Sequence, residues 1–534
     1  MNQERVTTAE FQTFVGGQDK YVDKNLNAEE LVNFYIERMV SGRKANQFVL
    51  RPTEGSKTIY EFEGSNSNIR ALYKCSRGFN GENDNALVCV AGSAVYYAQT
   101  VDGAETLDWQ LVDGFLSTIN GQVDITDNGY QIFICDAEAN QDLTGDGYWI
   151  DFGLTVTPGF KPVLVKISNE NMPVNPIHCT QCGPYTCIIG TVRETGQSAR
   201  TTSRFYFSNI AGVTDPEHDP SSGIWFSAVS FEGSASFYSP IRNLESLGGL
   251  LWIFGDEGFE AWQATGNWRQ EFQRVPSAFS SGNGLYAQWS LKSTGSELFW
   301  LGTGNKGNAI AYMLAIGSLQ PVRISLVSLE EEWANYPDAN LAVGAVYSAR
   351  GHSFYLLTFP QSRNTFVFDL STGTWHRRHF YDGSELRPWK PNYTQTIRNR
   401  TFGCTIGESV IYELAEPHLG DDGRPIYRKR VSPCYNVGLM RSMHYELALD
   451  LQSGREHRNG ERTNYMLRYS DDGGYTWSNP MTQSNGGRGE YARQLQFRRL
   501  GQARKRVYEF SMVDPVGTNI AGARLTTQLS SMRI

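Results

Sequence analysis

The chain has 534 residues, 53 of them glycine, with 13% aromatic and 19% charged side chains, a mixture that suits short strands and tight turns better than helical bundles. A formal net charge of −8 argues against a protein that wraps nucleic acid through a broad basic face, although a polar channel that DNA slides through remains compatible with it. Eight cysteines are too sparse for a disulfide scaffold, and neither Met1–Val6 nor the Gly/Ser-interrupted run Ala86–Ala98 supplies a signal core or a membrane span. The expectation is an all-β protein made in a cytoplasm, with buried thiols, no membrane insertion, and no cofactor.

Residues 1–64 read as an N-terminal arm. Asn27-Ala28-Glu29-Glu30 has the form of a helix cap and leads into Leu31, Phe34, Tyr35 and Met39 at roughly helical spacing, so local pattern leaves helix and strand both open. Residues 65–430 repeat one event, a short apolar strand followed by a Gly-rich or polar turn and an aromatic strand. The apolar cores fall at Leu87–Val90, Tyr130–Ile134, Cys187–Gly190, Leu250–Phe254, Leu298–Leu301, Phe354–Thr358 and Phe402–Ile406. Their centres lie about 43 to 63 residues apart, which brackets a propeller-blade period with inserted loops. Phe366–Trp375 adds a phrase similar to kelch blades, with a Thr-Gly turn and a structural Trp. Six or seven blades are expected, the smaller number if strands from elsewhere close an end blade.

Several constellations along this stretch invite chemistry. His178, Cys179, Cys182 and Cys187 resemble part of a zinc set, but no second Cys-x-x-Cys completes it, and packed thiols are the expectation. Asp142–Gly147 has the look of a calcium loop, yet Thr144 and Gly153 stand where two ligands are needed, so a hairpin is expected. Gly302–Gly307 has the glycines of a phosphate loop without its order or a following helix, and reads as a hairpin tip. His376 and His379, three apart on a strand, point to opposite faces and cannot share a metal; His376-Arg377-Arg378-His379 is expected at the surface. Trp225, Trp268, Trp333 and Trp389 read as loop aromatics available to protein interfaces.

Residues 431–534 read as a β-sandwich-like domain. Tyr465, Leu467 and Tyr469 alternate with Met466, Arg468 and Ser470, then Asp-Gly-Gly reverses the chain. Ser470, Asp472, Gly474, Thr476 and Trp477 fit the Asp box of sialidases and other β-propellers, a turn device in which Asp472 accepts backbone N–H bonds and Trp477 covers the apolar side. Further on, Arg498, Arg499, Arg504, Lys505 and Arg506 are candidate contacts for a protein partner or DNA. The flanking Leu495, Phe497, Tyr508, Phe510 and Met512 place them at a hairpin tip turning through Gly501.

The run Leu495–Val516, with its Arg-Arg-Leu-Gly-x-Ala-Arg core, aromatic strand and Asp-Pro-Val break, followed by Gly522-Ala523-Arg524-Leu525, resembles the C-terminal end of the packaged-DNA stabilisation proteins of short-tailed phages, the tail accessory or nozzle subunits. Near the other end, Val32–Glu37 and Gln47–Gly55 resemble that family's opening segments, with Ile36 and Glu54 standing where it has prolines. The resemblance implies an extended conformation for Val32–Glu37. It also implies a virion protein of the phage tail that assembles as a homo-oligomeric ring, a hexamer in the family. Portal adaptor ring, tail needle, spike or fibre proteins, and packaged double-stranded DNA in the channel would be its partners, with no catalytic or metal residues. The rival reading is a sialidase-like glycosidase or a carbohydrate- or receptor-binding tail protein. Against it, propeller sialidases repeat the Asp box over several blades, and no acid pair stands out for a glycosidic bond.

Overall fold

The computed structural model describes the chain apart from residues 1–5, 25, 40–47, 65–66, 83–84, 100–106, 138–144, 193–199, 211–222, 268, 305–306, 439, 452–461, 488, 492 and 530–534. The calcium-like positions Asp142–Thr144, the hairpin tip Asn305–Lys306 and Trp268 therefore lie outside the described residues.

Seven sheets of four principal strands follow one another along the chain. The first blade holds Ile69–Lys74, Ala86–Ala91, Ala94–Gln99 and Trp109–Phe115, and the second Asp124–Asp127, Gln131–Asp136, Asp146–Asp151 and Leu164–Lys166. The third holds Val174–Cys182, Tyr185–Val192, Arg204–Phe207 and Phe231–Gly233; the fourth Ile241–Leu247, Leu250–Gly255, Gly258–Asn267 and Gln270–Ser281. Lys292–Ser293, Glu297–Thr303, Ala309–Ala315 and Val322–Arg323 make the fifth, and Val343–Ala349, His352–Phe359, Asn364–Asp369 and Thr374–Tyr381 the sixth. The seventh takes Tyr393–Ile397, Arg400–Cys404 and Val410–Ala415 from the end of the run, and its outermost strand, Gly55–Glu61, from near the N-terminus. Each blade's first strand touches the first strand of the next, and the seventh touches the first, so the propeller closes. A strand from elsewhere completes the last blade, and the count among the described residues is seven.

Every apolar core singled out from the sequence is the second strand of its blade. That strand has a hydrogen-bonded neighbour on each side and a packed sheet on each face, so both of its side-chain rows must be apolar. Ala86–Ala91 and His352–Phe359 show this as unbroken or nearly unbroken buried runs.

A β-sandwich follows. One sheet is ordered Phe34–Arg38, Phe48–Pro52, Ile520–Leu529, Ser442–Leu451, Leu495–Ala503, with Thr7–Glu10 also pairing Ile520–Leu529. The other contains Arg428–Val431, Lys505–Met512, Asn464–Ser470 and Met481–Ser484. Leu447, Leu449, Phe497 and Ile520 from one sheet meet Leu467, Tyr508, Phe510 and Met512 from the other, and Phe11 and Phe14 of the N-terminal arm plug the same core. This second sheet does not stop at the sandwich. Ala28–Val32 pairs antiparallel with Arg428–Val431 and, on its other edge, parallel with Thr374–Tyr381, the outer strand of the sixth blade. One sheet thus runs from propeller to sandwich, and the helix-or-strand ambiguity near residue 30 resolves as two strands, Ala28–Val32 and Phe34–Arg38.

Candidate functional site: the propeller–sandwich junction

Asn33 separates those two strands and is where the chain leaves the sixth-blade sheet for the opposite sheet of the sandwich. Its φ of 54° is left-handed, a conformation Asn tolerates better than most residues with a side chain. The amide donates to the carbonyls of His379 (2.9 Å) and Tyr427 (2.8 Å) and accepts from the His379 N–H (3.0 Å). The backbone of Asn33 also donates to the Arg377 carbonyl (2.8 Å) and accepts from the Thr53 N–H (3.2 Å). One buried side chain therefore ties blade, arm and sandwich together. Gly55, where the arm enters the seventh blade, lies so close to the chain at His418–Gly420 that an added Cβ would meet the Gly420 carbonyl at 2.2 Å.

Around Asn33 the strand Thr374–Tyr381 is buried throughout its middle, which corrects the surface placement expected for His376-Arg377-Arg378-His379. The cause is the arm and sandwich lying against a blade edge that would otherwise face water. Arg378 donates to the Glu54 carboxylate, the Glu54 carbonyl and the Tyr347 hydroxyl, each at 2.7 Å, and stacks 3.5 Å from the centre of the Trp389 ring. Burial opposes ionisation of Glu54, but Arg378 and the surrounding hydrogen bonds hold its carboxyl below the usual range. Glu30 is buried among Lys429 (2.8 Å), Lys20 (3.3 Å) and Arg377 (3.9 Å), and these cations outweigh the desolvation and keep it ionised. Arg430 donates to the carbonyls of Phe14 (2.7 Å), Gly17 (2.9 Å) and Thr13 (3.2 Å), clamping the arm onto the sandwich. His376 and His379 are pushed down to about 3 by burial and stay neutral.

None of Asn33, Glu30, Glu54, Arg378 or Arg430 stood out in the sequence as a site residue. The only signal was that Asn33, Glu54 and Gly55 fall inside the two N-terminal segments that carry the family resemblance. Trp389 and Trp333 are core residues, contrary to their reading as interface aromatics: Trp389 stacks on Arg378, and Trp333 packs against Phe366 and Trp375. Trp225 is half-buried.

The Asp box lies at the end of the sandwich strand Asn464–Ser470. Asp472 accepts from the N–H groups of Tyr475 (2.9 Å) and Thr476 (2.9 Å) and from the hydroxyls of Ser470 (2.6 Å) and Thr476. The Ser470 hydroxyl in turn accepts from the Gly474 N–H (2.7 Å), and Gly474 has a φ of 101° that only glycine adopts readily. The Ser470 and Thr476 hydroxyls and the backbone N–H groups hold Asp472 well below the usual carboxylate range. Trp477 packs with Ala28, Val431 and Val507, beneath the Arg468 guanidinium at 4.9 Å, and Lys24 donates to the Gly474 carbonyl (3.1 Å). The hairpin thus lies against the N-terminal arm.

The basic run is divided, and it is not a hairpin tip. Leu495–Ala503 and Lys505–Met512 belong to opposite sheets, with Arg504 alone between them, and Gly501 lies in a bulge instead of a turn. Arg498, Arg499 and Arg504 are exposed and Lys505 is half-buried. Arg506 is buried, corrected from a candidate contact to an internal one: it donates to both Asp471 oxygens (2.6 and 2.8 Å) and lies 4.0 Å from the Tyr469 ring centre.

The first strands of all seven blades surround an axial cavity of about 740 Å3, lined by Asp124, Asp127, Glu245, Lys292 and Tyr393 among others. Burial pushes Glu245 up to about 7, against the pull of Lys292. His178 contacts Asp124 through Nδ1 (3.0 Å) and the Gln288 amide through Nε2 (2.9 Å), so both ring nitrogens are occupied. Cys179 packs between the second and third blades, while Cys182 and Cys187 pack between the third and fourth, and all three are buried free thiols.

Fold and site define a propeller–sandwich protein in which a cluster of buried charge joins two β-domains. Comparison with known proteins agrees with this. Residues 226–391 match the family model described as bacteriophage P22 Gp10, beta-propeller, and residues 428–528 match bacteriophage P22 Gp10, beta-sandwich, together about half of the chain. The chain belongs to this family of tail-associated, packaged-DNA stabilisation proteins, structural components of the phage virion. No curated protein sequence matches it. A crystal structure of the computationally designed Ika8 protein is 11% identical with a TM-score of 0.38, covering 73% of this chain and all of that one, a likeness too weak to argue from. Among the described residues no helix is long and apolar enough to cross a membrane.

Proposed function

We propose that this chain forms a ring, or nozzle, below the portal and its adaptor, closing the tail channel, retaining packaged DNA and mounting the needle or spikes. The observation that carries the reading is the single sheet running through Thr374–Tyr381, Ala28–Val32 and Arg428–Val431. A ring subunit that resists the pressure of a packaged genome must transmit load between its domains without hinging, and a hydrogen-bonded strand flanked by buried ion pairs does this where a flexible linker would not. The family assignment supports the same reading.

In this proposal the ring is a homo-oligomer of six copies, the partners are the adaptor ring and the needle, spike or fibre proteins, and duplex DNA passes through the channel. The protein acts without turnover. Particles assembled without the chain are expected to package DNA and then leak it. Particles that keep their genomes and fail only at host attachment would favour a receptor-binding role, and a glycosidase activity on surface polysaccharide would favour an enzyme.

A further inference from the structure

The outer rims of the first and second blades are joined. Asp113 donates its N–H to the Pro162 carbonyl (3.1 Å) and bridges Val163 in parallel, so Trp109–Phe115 and Leu164–Lys166 run side by side over a shared interior. Val112 and Leu164 turn into that interior. Alternation along the strands then sends Leu111, Asp113, Phe115, Val163 and Val165 outward, and all five are exposed, Phe115 by 65%. The result is an exposed apolar ridge with a carboxylate at its middle.

A surface of the opposite character lies on the sandwich. Where Ser442–Leu451 and Leu495–Ala503 lose register opposite His444–Glu446, Arg499 at φ 61° and Gly501 at φ 78° absorb the extra residues of a bulge, a device that re-aims side chains. Beside it is a cavity of about 610 Å3 lined by Met443, Tyr445, Thr526, Arg498 and Arg499 among others. Arg498 is engaged by Glu446 (2.7 Å) and Gln496 (2.8 Å), whereas Arg499 has no carboxylate within ion-pair distance among the described residues.

We propose that these are the two halves of one contact between copies of this chain. The Leu111/Phe115/Val163 ridge of one copy seats in the Met443/Tyr445 concavity of the next, and Asp113 meets Arg499. Apolar meets apolar, and carboxylate meets guanidinium. Because the two patches differ and sit on different domains, the contact is heterologous, the kind that repeats into a closed ring. Phe115 is the anchor, since aromatics in central pockets dominate interface energetics, and the Asp113/Arg499 pair sets register more than affinity. The inference rests on the ring reading and names its surface.

The test uses full-length chain in assembled particles. A Phe115→Cys/Tyr445→Cys double variant, mildly oxidised, is expected to give a ladder of covalent multimers on a non-reducing gel, while either single variant gives dimers at most. Asp113→Arg is expected to lower incorporation into particles at least tenfold, and adding Arg499→Asp in the same chain to restore it. Circular dichroism melts of each soluble variant identify any that fail to fold, and the charge-swapped pair keeps the test decisive if a cysteine variant does. If electron microscopy shows a ring in particles of the double variant but neither ladder nor rescue occurs, this interface is wrong and the ring stands. If the particles hold the chain without a ring, both readings fall.

Discussion

The second strands of the blades and the outer strand of the sixth blade, Thr374–Tyr381, are about equally buried, yet the former are written in apolar residues and the latter as His-Arg-Arg-His. The blade strands meet their burial within the propeller, since hairpin neighbours pair their edges and the adjacent blades cover their faces. Thr374–Tyr381 is covered by the arm, whose strand Ala28–Val32 pairs with it; Arg378 is met by Glu54, more than three hundred residues away in sequence, and Arg377 by Glu332 (2.5 Å) from the short helix Val327–Trp333 and, at longer range, by Glu30. Burying a charge is costly unless it is paired and hydrogen-bonded, so every partner at the junction has to be present at once. Small losses are therefore expected to cost less among the apolar blade strands than at the junction.

The largest expected effect that would break this contrast comes from acid. His376 and His379, held near 3, and the sandwich histidine His444, held near 4, are neutral when folded but titrate near 6.5 when unfolded. Each contributes stability above the unfolded value and loses it as pH falls from about 6.5 toward its folded value, at about 1.4 kcal/mol per pH unit. His352 has the opposite sign. Burial alone would lower it, but Asp369 (2.8 Å) and Glu37 (3.3 Å) raise it, so its contribution is complete below the unfolded value and lost as pH rises through the folded one. It offsets only part of the loss. Urea midpoints between pH 7.5 and 4.5 should fall steeply, and a flat profile would contradict the buried neutral histidines.

Next in size is Arg378→Ala, which strands the Glu54 carboxylate in the junction and should cost roughly 3 to 5 kcal/mol. Asn33→Ala leaves several buried backbone groups without partners and places a Cβ-bearing residue of poorer left-handed tolerance at that φ, for about 3 kcal/mol. Both are read as denaturation midpoints, and limited proteolysis should show the two domains separating in each variant before either one melts. Asp472→Ala removes a solvent-exposed turn acceptor and should cost on the order of 1 kcal/mol, because the released N–H groups find water. Arg504→Ala, on the exposed link between the sheets, should lie within about 0.5 kcal/mol of the parent. Equal costs for Arg378→Ala and Arg504→Ala would erase the distinction between the two basic runs.

What the sequence made legible follows the same division. The blade cores could be read because a strand covered on both faces needs an unbroken apolar run. The Asp box could be read because its hydrogen bonds close within seven residues, Ser470 to Thr476. His376–His379 and Arg506 were misplaced because a polar residue on a strand looks exposed unless its partner is known, and Glu54 and Asp471 lie on other strands or turns. The bulge at Arg499–Gly501 reads as a turn in the sequence because a glycine between two apolar strands has the same local signature in both cases. Nothing in the local pattern singles out Asn33, which lies in the segment where helix and strand are both open. Its left-handed conformation and its role as a tie between domains depend on contacts with Arg377, His379 and Tyr427 that no window of sequence contains.

The proposed place of the chain in a ring of the phage tail is tested most directly by cryo-electron microscopy of whole particles. Density for this propeller and sandwich repeated symmetrically around a central channel, with the two domains in the fixed relation set by Ala28–Val32, is the result the account predicts. Density for the chain as a peripheral fibre or a receptor-binding tip away from the channel would contradict it.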